Sequence, residues 1–101
     1  MRRIRILAEA SDDAIAAAAW YDRARPGLGS EFEQALDAAL DLIEDELAPL
    51  VPVPGESGSK GAKRLLLRRF PYSGVVRESG NEYLAVAIAH HYRRPDYWKD
   101  R

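Results

Sequence analysis

Two adjacent histidines, His90 and His91, run into Tyr92, Arg93 and Arg94, and no other stretch gathers so much reactive chemistry. Histidine is the side chain best tuned to exchange protons near neutral pH. Cleaving RNA without a metal needs a base for the 2′-hydroxyl, an acid for the leaving oxygen and cations on the phosphate. His90, His91, Tyr92, Arg93 and Arg94 contain those parts, and Arg68 and Arg69 could add cations from a neighbouring strand. A partner carboxylate is harder to place. Glu44 and Glu46 are the nearest choices, at the end of a helix. Each residue also has a plainer reading. His90 alternates with Leu84, Val86 and Ile88, which suits a hydrogen-bonded structural histidine. His91 and Tyr92 could simply be exposed, and Arg68 and Arg69 could protect a sheet edge. Two histidines without cysteine make a zinc site a poor expectation. No phosphate-binding glycine motif is present, and no cofactor is expected.

The elements that must position these residues follow from spacing. Residues 3–8 alternate Ile4 and Ile6 with arginines, as a short strand does. Ser11 is suited to cap a helix, with Asp12 and Asp13 at the positive end of its dipole. That helix continues through residues 14–25 and stops at Pro26-Gly27. Ser30-Glu31-Phe32-Glu33 has the form of a capping box. Phe32, Leu36, Ala39, Leu40, Ile43 and Leu47 then recur at helical steps opposite an acidic face, ending at Pro49. Two amphipathic helices so closely joined form an antiparallel hairpin.

Residues 48–61, rich in Pro, Gly and Ser, read as a loop. Residues 63–70, 72–78 and 82–91 read as strands, the last two joined by a turn at Ser79-Gly80-Asn81. In the last strand Leu84, Val86, Ile88 and His90 are expected on one face, and Tyr83, Ala85, Ala87, Ala89 and His91 on the other. The expected fold is therefore α+β: a strand, a helical hairpin, then an antiparallel meander of three strands, in one domain over residues 1–101.

The 101-residue chain is 47% hydrophobic with a net charge of −1, a composition that folds rather than stays disordered. The charge is divided unevenly. Residues 1–50 carry five arginines against eleven acids, and residues 51–101 carry ten cations against five acids, which suggests two faces with different partners. Cysteine is absent, which excludes a disulfide scaffold and fits a reducing compartment. No apolar run approaches the roughly 20 residues of a membrane span. Glu9, Asp12 and Asp13 interrupt what Arg2, Arg3 and Arg5 would begin as a signal peptide.

Several strings appear together in order: Trp20-Tyr21, Pro26-Gly27-Leu28-Gly29, Glu31-Phe32, Arg69-Phe70-Pro71-Tyr72, an apolar strand ending in His90, and Arg93-Arg94-Pro95-Asp96-Tyr97-Trp98. In this the chain resembles the ParE/RelE superfamily of bacterial toxins from type II toxin–antitoxin modules, over nearly its whole length. The resemblance implies a small cytoplasmic toxin neutralised by a cognate antitoxin, with operator DNA reached only through that antitoxin. ParE-like members poison DNA gyrase, whereas RelE-like members cleave mRNA on the ribosome. The long hairpin and the full tail lean towards ParE. On that side Arg93, Arg94, Tyr97 and Trp98 would contact the target, and Trp20, Tyr21, Phe32 and Leu36 would contact the antitoxin. The tail could equally be a packing cap, with Trp98 covering the sheet. The alternatives are a RelE-like nuclease using His90, His91, Tyr92, Arg68 and Arg69, and an inert homologue acting only in autorepression.

Overall fold

A computed structural model of the chain describes residues 2–55, 61–93 and 97–101. The order is β1 (Ile4–Ile6), α1 (Ala8–Ala24), α2 (Leu28–Glu44), β2 (Val51–Pro52), β3 (Lys63–Leu66), β4 (Tyr72–Ser79) and β5 (Glu82–His90). The strands form one sheet in the order β1-β5-β4-β3-β2. β1 runs parallel to β5, and the other pairs are antiparallel. The α+β arrangement of strand, helical hairpin and meander is as expected. The meander has four strands rather than three, because Val51 and Pro52 pair with Arg64 and Lys63 inside the segment read as a loop. An edge position is where a sheet tolerates proline.

Both helices start earlier than their serines suggest. Leu7, in extended backbone, precedes α1, and the Ser11 amide already donates to the Leu7 carbonyl at 3.0 Å. Ser11 is therefore inside the helix rather than at its cap. α2 starts at Leu28 after Gly27, whose φ of 90° is left-handed and open to glycine at little cost. The connection is tied by the Gly29 amide, which donates to Asp22 Oδ1 at 2.8 Å. Asp22 thus caps the second helix from the first, the role that the Ser30–Glu33 pattern had suggested for Ser30.

α2 ends at Glu44, five residues before Pro49. The Glu46 amide donates to Ile43 and the Leu47 amide to Leu42, with Glu46 at φ 59°. These two bonds are a Schellman closure. Leu47 consequently leaves the apolar stripe and is exposed. The acids at this end have a cation beside them: the Arg2 guanidinium meets Glu78 at 2.6 Å and Glu46 at 3.2 Å, while its amide caps the Glu44 carbonyl. A positive group there also suits the helix dipole.

The helices cover one face of the sheet. Phe32, Leu36, Leu40 and Ile43 of α2 and Ala17, Ala18 and Tyr21 of α1 pack on Leu65, Val76, Tyr83, Ala85 and Ile88. Phe32 is fully buried, with the rings of Tyr21, Phe70 and Tyr72 at 5.4, 5.3 and 5.1 Å. A second cluster of Val53, Ala62, Val75, Val86, Ala87 and Trp98 lies on the other face.

The facing expected for β5 holds only to Val86. Val75 pairs with Ala87 while Val76 pairs with Ala85, so Val86 is an extra residue in the ladder. A bulge of one residue moves every later side chain to the opposite face. Ile88 therefore joins Tyr83 and Ala85 under the helices, and His90 follows it to the Tyr72 ring. Ala87 goes to the second cluster with Val86. The alternation that grouped His90 with Leu84 and Val86 is corrected accordingly.

Candidate functional site

The bulge decides where the histidines go. Adjacent in sequence, His90 and His91 lie on opposite faces of the sheet, in two different concavities. They share no concavity, although Arg93 lines both.

His90 lines a groove of about 700 Å³ between α1 and the β4–β5 end, with Asp12, Trp20, Arg23, Tyr72 and Arg93. Its ring stands edge-on to Tyr72 at 5.0 Å and lies 5.4 Å from Tyr92. The Tyr92 amide donates to His90 Nδ1 at 3.0 Å, so the neutral ring carries its proton on Nε2. Tyr92 is 90% exposed, and Trp20 at 57% is the other large aromatic open to solvent.

His91 lines a smaller cavity of about 120 Å³ on the face without helices, with Arg64, Ser73, Arg93, Tyr97 and Trp98. Its Nε2 is 2.9 Å from Ser73 Oγ, and Ser73 is itself buried. Arg64 reaches this face because β3 alternates it against buried Leu65. The Arg64 Nε is buried and has no hydrogen-bond partner among the described residues. An unmatched guanidinium N–H in a cavity edged by His91 and Arg93 favours an anion there, since a buried donor without an acceptor is costly.

Arg68 and Arg69 are not in either concavity. Both lie in the β3–β4 turn. Arg69 is engaged with Glu31 at 2.8 Å and lies over the Phe70 ring, and Glu31 also meets Arg25 at 3.0 Å. The hydrogen bond from Arg69 is the main reason that the Glu31 carboxyl sits below the usual range. Glu44 and Glu46 are at the Arg2 end of the sheet, beside the β4–β5 turn, and cannot serve either histidine. Tyr21, Phe32 and Leu36 are buried in the main core, so of the four residues assigned to an antitoxin only Trp20 presents surface. Trp98 is 5% exposed and packs on the sheet as a cap. Arg94, with Pro95 and Asp96, lies outside the described residues. Among the described residues no three His, Asp or Glu are grouped as a metal site would require, and no helix is long and apolar enough to cross a membrane.

Tyr97 has two cations at its ring and an acceptor at its hydroxyl. Arg93 lies 3.8 Å from its ring centre and Arg101 5.2 Å, and its hydroxyl donates to Asp13 Oδ2 at 3.2 Å. Such cation–π contacts are favourable where the ring is partly desolvated. Burial, and then the Asp13 charge, push the Tyr97 phenol up to about 12. The unfolded phenol ionises near 10. Because the folded state favours the neutral form, this contribution is present below pH 10 and is lost as pH rises from there towards 12. Chemical denaturation at pH 9, 10, 11 and 12 should show stability falling faster for wild type than for Tyr97→Phe. Tyr21 and Tyr72, also raised by burial, act alike in both proteins. Parallel curves would refute the assignment. Arg64, Ser73, Asp13 and Arg101 escape a reading of the sequence. Only Arg64 carries a signal, its alternation with Leu65.

A helical hairpin packed on one face of a mixed sheet, with a basic, aromatic tail across the other, defines an α+β fold of the RelE/ParE type. No protein-family model and no curated protein matches the sequence. Among solved structures, the fold matches a chain of the chromosomal ParDE TA system from P. aeruginosa. The TM-score is 0.73 at 21% identity, over 89% of this chain and 96% of that one.

Proposed function

We propose that the chain is a toxin of the ParE kind from a type II toxin–antitoxin module, a single domain over residues 1–101 acting in the bacterial cytoplasm. A cognate antitoxin neutralises it, and operator DNA is reached only through that antitoxin. The toxin inhibits DNA gyrase by binding. The observation that carries this reading is the likeness of fold to the ParDE chain over nearly the full length of both. Arg93, exposed and stacked on Tyr97, supplies a cationic contact to the target together with Arg94. Trp20 is the exposed anchor for the antitoxin.

The test is to induce the chain alone in a bacterium and pulse-label DNA and protein. An early fall in DNA synthesis with a DNA-damage response supports gyrase as target. The double variant Arg93→Ala/Arg94→Ala should abolish toxicity while its melting temperature stays within about 8 °C of wild type, a cost of about 1 kcal/mol at most. A folded double variant as toxic as wild type would refute these contacts.

A second reading is favoured by one observation, the cavity that joins Arg64, Ser73, His91 and Arg93. In a ribosome-dependent nuclease, His91 would take the 2′-hydroxyl proton as that oxygen attacks phosphorus. Arg64 and Arg93 would neutralise the phosphate, and the 5′-oxygen would leave with a proton from a general acid. An early fall in protein synthesis, abolished by His91→Gln, would replace the gyrase reading with this one. It would also replace Arg68 and Arg69 by Arg64 in the site.

A further inference from the structure

One carboxylate ties three separate parts of the chain together. Asp13 Oδ2 accepts from the Ile88 amide at 3.1 Å, from the Tyr97 hydroxyl at 3.2 Å and from Arg101 Nη1 at 2.7 Å. Its Oδ1 accepts from Arg101 Nη2 at 3.3 Å. The Asp13 and Arg101 side chains are only 10% and 18% exposed. An acid near a helix start that merely served the dipole would face water. Asp13 instead points at the sheet.

The reason lies in β1. That strand stops at Ile6, and the last bond of its pairing runs from the Leu7 amide to the Ala85 carbonyl. From Val86 onward β5 has no strand on this side among the described residues, and there the bulge begins. The two groups that follow are both taken by the clamp: Asp13 accepts from the Ile88 amide, and Arg101 Nη1 donates to the Val86 carbonyl at 3.1 Å. The tail is therefore anchored twice. Trp98 is buried over Val75, Val86 and Ala87 on the open face, and Arg101 reaches round the edge of β5 to α1. Just before Trp98, the Tyr97 ring stands against Arg93 and Arg101.

We propose that Asp13 is a positioning residue: by gripping Tyr97 and Arg101 it seals the free edge of β5 and sets the Arg93–Tyr97 stack in the geometry that meets the target. The role at the target rests on the toxin reading given above; the sealing of the edge does not.

Four variants test it: Asp13→Asn, Arg101→Gln, the two together, and Arg101→Lys. The double variant removes both charges and avoids stranding one of them, so it keeps the test open if a single variant fails to fold. Amide hydrogen exchange should rise about tenfold or more at Ile88 and in residues 97–101, while α2 and β3 stay protected, because the clamp governs a local opening. Trp98 emission in a Trp20→Phe background should shift towards that of exposed tryptophan. Growth inhibition on induction should fall about tenfold at equal folded protein, and Arg101→Lys, which keeps the charge, should restore part of it. Unchanged exchange in the tail overturns the clamp. A loosened tail with undiminished toxicity overturns the positioning role. A wild-type chain without toxicity overturns the toxin reading, and the positioning role with it, while the exchange measurement still decides whether Asp13 seals the edge.

Discussion

Phe32→Ala is expected to remove a large share of the stability of this fold. The side chain is fully buried, and three aromatic rings close around it at 5.1 to 5.4 Å. Truncating such a residue costs about 4 kcal/mol, because the lost transfer energy is joined by the cavity left behind. A domain of this size has about 5–15 kcal/mol in all. The melting temperature should fall by about 20 °C, read by circular dichroism. Phe32→Leu, which refills most of the space, should cost about 1–2 kcal/mol. Trp20→Ala, at an exposed position of the same hairpin, should leave the melt nearly unchanged. The comparison bears on function. Loss of antitoxin binding in Phe32→Ala would report unfolding, whereas the same loss in Trp20→Ala would report a contact. A Phe32→Ala protein melting within about 5 °C of wild type would refute its place at the centre of the core.

What the sequence made legible, and what it hid, divides along physical lines. The helical stripe of Phe32, Leu36, Leu40 and Ile43 is visible because burial imposes a period, and all four are in the core. The order of strand, hairpin and meander follows from the same patterning. A bulge has no side-chain signature. Residues 82–91 read as one uninterrupted alternation, and only the paired register reveals that Val86 is surplus. Alternation alone puts His90 and His91 on opposite faces, but that one residue exchanges the faces, sending His90 to the helix side and His91 to the side of Val86. Long-range partners are equally silent. Asp13 looks like an acid suited to a helix start, and nothing near it in sequence announces Arg101, 88 positions away. Ser73, bonded to His91, is an ordinary serine until β4 is laid against β5. The helix starts failed for a different reason. Ser11 and Ser30 carry a local capping signal, but the tight approach of strand to helix and of helix to helix puts the caps at Leu7 and Gly27 and the starts at Ala8 and Leu28 instead.

Gly29→Ala is expected to damage the protein although alanine is the better helix former by about 1 kcal/mol. A β-carbon at this position would run into the Ala18 main-chain oxygen and lie 2.7 Å from Asp22 Cγ. The Ala18 oxygen belongs to the backbone of α1 and cannot turn aside, so the two helices must separate where they cross most closely. Overpacking of this kind costs about 1–3 kcal/mol, and contact with backbone places it at the upper end. Separation also lengthens the bond from the Gly29 amide to Asp22 that caps α2. The expected net effect is a loss of about 2–3 kcal/mol and a fall of about 10–15 °C in melting temperature. Gly27→Ala fails differently: space is open there, but the left-handed φ of 90° costs about 1–2 kcal/mol. The string Pro26-Gly27-Leu28-Gly29 that marks the resemblance is therefore explained by turn geometry and helix approach. If Gly29→Ala removed toxicity while its melting temperature stayed at the wild-type value, this account would be wrong, and the hairpin tip would instead be a surface that the target reads directly.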